Sequence, residues 1–72
     1  MNFSLRLENL REENDITQKQ LSTELHIAAT TLNGYVNNHR EPDFYTLVRL
    51  ARYFDVSTDY LLGLTNDKKP AP

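Results

Sequence analysis

The sequence has 72 residues, 25% of them charged, and a formal net charge of −2. A chain this short supports one domain with one small core, so economical helix packing is expected, and with no cysteine disulfides and thiolate metal sites are excluded. The longest apolar runs are three residues, as in Tyr60-Leu61-Leu62, against the roughly 18 needed to span a bilayer, and no signal-peptide pattern opens the chain, so a soluble cytoplasmic protein is expected.

Phe3, Leu7 and Leu10 recur at helical spacing and the pattern stops near Asn14-Asp15, which reads as a first helix with Leu5 off its stripe and partly exposed. Thr17 offers a hydroxyl N-cap and Gln20 completes a capping box ahead of a second helix whose inner face is Leu21 and Leu25 and which ends near His26. Leu32, Tyr35 and Val36 repeat at i, i+3 and i+4, so a third helix starts after a turn of only about four residues. Two short helices so tightly joined must cross steeply. The stretch Asn37 to Pro42 is aperiodic and polar and reads as a loop. Asp43 caps a fourth helix with a broad apolar face of Phe44, Leu47, Val48, Leu50, Ala51 and Phe54, ending at Asp55. Ser57 or Thr58 starts a short fifth helix, Thr58 to Leu62, that stops at Gly63. Beyond Leu64 there are no apolar anchors, so residues 65–72 read as a flexible tail or linker and residues 1–64 as the domain. The expected core is Leu7, Leu10, Ile16, Leu21, Leu25, Ile27, Leu32, Tyr35, Leu47, Leu50, Ala51, Phe54, Val56 and Leu61.

The acidic net charge argues at first sight against a nucleic-acid partner, but the distribution matters more than the sum. Residues 1–16 set Arg6 and Arg11 against Glu8, Glu12, Glu13 and Asp15, whereas residues 17–41 balance Lys19 and Arg40 against Glu24 and Glu41 and hold both histidines, His26 and His39. A DNA-facing surface therefore belongs in the middle of the chain, with the acidic first helix turned away. Helix, short turn and helix is the geometry that lays one helix in the major groove while the other braces across the backbone. Spacing alone fits a plain helical bundle equally well.

The residues sharpen the reading. Ile16-Thr17-Gln18-Lys19-Gln20-Leu21-Ser22, Leu25-His26-Ile27, Thr30-Thr31-Leu32 through Tyr35, Arg40-Glu41-Pro42-Asp43, Leu47 to Ala51 and Phe54 to Leu62 together resemble the XRE family of phage-type repressors, over roughly residues 3 to 64. The resemblance implies an all-α, compact five-helix bundle of the lambda-repressor-like helix-turn-helix type. It also implies that Gln18 contacts a DNA phosphate and supports the recognition helix, that Ala29, Thr30, Asn33 and Gly34 face the bases, and that Asn37 and the following loop reach the backbone.

The same face emerges from helical geometry. With Leu32 and Tyr35 inward, Ala29, Thr30, Asn33, Gly34 and Asn37 turn outward on one uncharged surface, unusual for a solvated helix. Asn pairs bidentately with adenine and Ala or Thr methyls pack on the thymine methyl, so Asn33 and Thr30 are expected to lean towards A·T readout; the bland alternative is a solvated helix face. Lys19, Asn38, His39 and Arg40 are further candidate backbone contacts, and Tyr60, Leu62 and Leu64 are candidate dimer contacts by analogy, with peripheral core as the alternative. A homodimer on a pseudo-palindromic site is expected because one short helix reads too few base pairs.

Several residues depart from the family pattern. Relatives usually carry Glu where Val36 stands, paired with the arginine matching Arg11, so here Arg11 must be solvated, paired elsewhere or free to reach phosphate. Asn38 replaces a glycine at the end of the recognition helix and can still take a left-handed conformation, and His26 replaces a glycine in the turn, which strains His26 if its φ is positive. Gly34 in mid-helix costs ~1 kcal/mol relative to alanine; a close approach by DNA or another helix accounts for it, as does simple drift. No nucleophile, base and orienting partner assemble in sequence, and no phosphate loop or metal-ligand spacing exists, so no enzyme activity, cofactor, metal or small-molecule ligand is expected. The alternative function is a helix-turn-helix module that binds a protein partner, which an apolar, neutral recognition face would favour.

Overall fold

In the computed structural model, which describes residues 3–70, the chain folds into five helices: α1 (Phe3–Glu13), α2 (Gln18–Leu25), α3 (Ala29–Val36), α4 (Phe44–Tyr53) and α5 (Thr58–Leu62). Residues 1–2 and 71–72, the outer ends of the expected domain and tail, lie outside the described residues. α1 packs against α3 and α5, α2 against α3, and α4 against α5. The Cα radius of gyration is 11.1 Å, close to the ~11 Å expected of a close-packed chain of this length. No helix among the described residues is long and apolar enough to cross a membrane.

Local chemistry starts the helices where the sequence places the caps. The Thr17 hydroxyl accepts the Gln20 amide at 3.0 Å while the Gln20 side chain accepts the Thr17 amide at 2.8 Å, a complete capping box. Asp43 and Ser57 accept from the Thr46 and Tyr60 amides at 2.8 and 2.9 Å and so start α4 and α5.

All five helices end in the same way. Asp15, His26, Asn38, Asp55 and Gly63 take left-handed φ values of 55°, 55°, 62°, 56° and 83°. At each end the amide of the next residue returns to a carbonyl five residues back, as from Ile16 to Arg11, Ile27 to Ser22 and Val56 to Ala51. This paired closure satisfies carbonyls that a helix terminus leaves open. Four of the five left-handed residues carry a side chain, so the tight turns of this small domain hold strain that glycine would avoid.

The core contains every expected residue except Leu47, which packs half-buried at its edge, and it adds Tyr60. The apolar face of α4 is narrower than its sequence indicates: Phe44 is 89% and Val48 38% exposed. The first turn of α4 stands clear of the bundle, leaving Phe44 on the rim of a groove with Phe3, Pro42, Leu47 and Leu62. Leu5 is exposed, as its position off the α1 stripe indicates. Residues 65–70 form no helix, yet they lie against the body. The Ser57 amide donates to the Lys68 carbonyl at 3.0 Å, Arg6 donates to Asn66 at 2.9 Å, and the Lys68 ammonium meets Glu13 at 2.7 Å.

Candidate nucleic-acid interface

Two side-chain contacts, one from α2 itself and one from α4, fix the turn between α2 and α3. The Ser22 hydroxyl donates to the Ile27 carbonyl, and the Arg49 guanidinium, reaching across from α4, donates to the Leu25 carbonyl at the end of α2. A cation there meets the partial negative charge of the helix terminus and occupies one of its open carbonyls. α3 then docks through Leu32 and Tyr35, both buried, and its far end is tied to α1 by the buried Ser4 hydroxyl, which donates to the Tyr35 carbonyl at 2.5 Å. Phe3 stacks edge-on against the Tyr35 ring at 5.9 Å. Burial pushes the Tyr35 phenol up from its ordinary pKa, reinforced by the Asp43 charge.

The outward side of α3 carries the expected residues. Ala29, Thr30, Asn33 and Asn37 are exposed, and Gly34 is half-buried. No side chain caps the start of α3 at Ala28, so its first amides lack the side-chain partner that a cap supplies. Gln18 and Lys19 at the start of α2 line one groove with Ser22, Thr23, Ala29 and Leu32, which brings the two helices of the motif to a single surface. Asn38, His39 and Arg40 are exposed at the other end of α3. The candidate backbone residues therefore flank the candidate base-facing residues from both ends.

The cations sort into two sets. Arg11 pairs with Glu8 through two hydrogen bonds of 2.8 and 3.1 Å and donates to the Ile16 carbonyl at 2.9 Å. Of the three fates open to Arg11, pairing elsewhere is the one observed. The Arg11 hydrogen bonds, opposed by burial and aided by the Arg11 charge and the Gln18 amide, hold the Glu8 carboxyl below its ordinary range. Arg49 is committed to Leu25 and lies over the Tyr45 ring at 5.6 Å, Arg6 lies over the Tyr60 ring at 4.0 Å, and Lys68 pairs with Glu13. Lys19, Arg40, Arg52 and Lys69 form no ion pair among the described residues, and the first two border the α3 face.

The candidate dimer residues are separated by the fold. Leu64 is exposed and Leu62 half-buried, but Tyr60 is buried. Its ring joins the core and is further covered by Arg6 and Lys68, the peripheral-core alternative, and of the three only Leu62 and Leu64 reach the surface. Sequence reasoning missed Ser4, although its position three residues before Leu7 placed it on the inner stripe of α1. It also missed Arg49, whose partner lies 24 residues away and leaves no local signal.

A sequence model of the family described as "Helix-turn-helix" matches residues 7–61. The uncharacterized HTH-type transcriptional regulator YobD of Bacillus subtilis is 43% identical over 68 residues, which are 94% of this chain and 61% of that protein. The HTH-type transcriptional regulator ImmR of the same organism is 40% identical over 63 residues, 88% of this chain and 50% of that protein. The HTH-type transcriptional activator BcrR of Enterococcus faecalis is 29% identical over 63 residues, 88% of this chain and 31% of that protein. The chain therefore spans from under a third to about three fifths of these relatives' lengths.

Proposed function

The chain belongs to the helix-turn-helix family, and we propose that it is a cytoplasmic, sequence-specific transcriptional regulator whose residues 1–64 bind double-stranded DNA with α3 in the major groove. In this reading Ala29, Thr30, Asn33 and Gly34 face base edges, while Gln18, Lys19, Asn37, Asn38, His39 and Arg40 hold the phosphate backbone. Two protomers, meeting through Leu62 and Leu64, occupy a pseudo-palindromic operator, and occupancy represses transcription. The observation that carries the reading is the composition of the α3 surface: an outward face without charge, bordered by Lys19 and Arg40, which are free of ion pairs among the described residues. A merely solvated helix favours Lys and Glu there; a groove-reading helix needs amide and methyl groups with cations at its margins.

The test is selection from a randomised duplex pool followed by anisotropy titration at two salt concentrations, with Gln18→Ala and Asn33→Ala beside the native chain. The expected result is a two-fold-symmetric site, a log affinity falling with log salt at a slope of about −2 per protomer if two cations meet phosphates, weaker binding by Gln18→Ala, and altered base preference in Asn33→Ala. No enrichment and no salt dependence would shift the reading to a protein-binding module. The nearly full exposure of Phe44 is the feature that favours that second reading.

A further inference from the structure

The glycine in the middle of α3 has a specific neighbour. A Cβ built on Gly34 would lie 2.9 Å from both Cγ and Cδ of Arg40 and 3.3 Å from its Cβ, closer than carbon atoms tolerate. The Arg40 stem therefore fills the notch that the absent side chain leaves. The loop delivers it there: Asn38 turns left-handed at φ 62°, and the Gly34 carbonyl accepts the amides of both His39 at 2.8 Å and Arg40 at 3.1 Å.

Position on the helix decides what this means. Leu32 and Tyr35 face the core, and at 100° per residue Thr30 and Asn37 fall near the middle of the opposite side, with Gly34 on that side one turn beyond Thr30 and roughly 50° from its middle. The Arg40 stem thus lies against the margin of the outward surface of α3, within reach of a ligand that meets that surface. Arg40 is exposed and forms no ion pair among the described residues, so its guanidinium is available to a ligand.

We infer that Arg40 is a base-reading residue that presents its guanidinium to the O6 and N7 acceptors of a guanine in the major groove, and that Gly34 is its seat rather than a base contact itself. The planar fork of arginine matches that pair of acceptors, and a stem held by packing loses less freedom on binding than a free one. The inference rests on the DNA-binding reading above and goes beyond it by reassigning both residues: Arg40 moves from the backbone to the bases, and Gly34 from contact to support.

The experiment measures the affinities of the native chain, Gly34→Ala, Arg40→Ala and the double variant for the selected duplex and for duplexes with each base pair exchanged singly. Each protein's fold is checked by circular dichroism. Arg40→Ala is expected to lose about tenfold or more of the discrimination at one symmetric G·C pair while keeping the preferences elsewhere. Gly34→Ala should lose the same preference, and in the Arg40→Ala background it should change nothing further. Uniform weakening of Arg40→Ala across all duplexes would overturn the base-reading role in favour of a phosphate contact. Unaltered discrimination by a folded Gly34→Ala would overturn the seat. A native chain that selects no duplex would instead remove the DNA reading itself, and this inference with it.

Discussion

His26→Gly should stabilise the domain, which is unusual for a substitution that deletes a side chain. His26 ends α2 at φ 55° and ψ 40°, with its amide bonded back to Ser22 and Thr23 and the next amide, of Ile27, bonded to Ser22. A side chain in this conformation costs about 1–2 kcal/mol that glycine does not incur. Glycine returns about 0.5–1 kcal/mol of that through the extra freedom of the unfolded chain. The imidazole is exposed and makes no hydrogen bond among the described residues, so its loss subtracts little. The net gain is about 0.5–1 kcal/mol, which for a domain of this size raises Tm by about 2–8 °C. Thermal melts followed at 222 nm measure it, with two controls. Asn38→Gly at φ 62° should gain less, because asparagine tolerates the left-handed region better. Gly63→Ala at φ 83° should lose about 1 kcal/mol. A Tm for His26→Gly at or below that of the native chain would refute the reasoning, since it would mean that no strain is held at the motif's turn.

Ser4→Ala removes the buried hydroxyl bond from α1 to the Tyr35 carbonyl, which keeps a backbone partner in the Asn38 amide; the expected loss is about 1 kcal/mol, seen as a lower urea midpoint with an unchanged m-value. Acid should weaken the fold through Glu8. Its folded-state pKa is held below the ordinary value chiefly by hydrogen bonding from Arg11, so its contribution is fully present above the unfolded carboxylate pKa and is lost as pH falls through the lower folded one. Urea midpoints from pH 7 to pH 3 should therefore drop more for the native chain than for Glu8→Gln, and parallel curves would rule the pair out as a source of acid sensitivity.

The sequence reads clearly wherever the deciding interaction is local. The Thr17–Gln20 capping box, the Asp43 and Ser57 caps, the Gly63 stop and the left-handed Asn38 each involve groups within about five residues of one another. The inward pair Leu32 and Tyr35 and the outward Ala29, Thr30 and Asn33 follow from one helical period. These signals suffice for five helices, for the motif formed by the second and third, and for the residues on its exposed face.

Tertiary structure decided what depends on partners far apart in the chain. Val36 removes the family's usual ion pair, but only the folded arrangement shows Arg11 turned onto Glu8 and the Ile16 carbonyl. Arg49 secures the end of α2 from 24 residues away, and Ser4 secures the end of α3 from 31. Only the fold chose between the two readings of Tyr60 and set Phe44 apart from the rest of its face, for one reason: periodicity marks an apolar face, while burial depends on which neighbours cover it. Tyr60 is covered by the core, Arg6 and Lys68, and Phe44 stands beyond the bundle's edge. Gly34 and Arg40 bring both levels together, because a mid-helix glycine is visible in the sequence while its purpose is not. That purpose emerges when the left-handed turn at Asn38 folds the chain back and lays Arg40 across it.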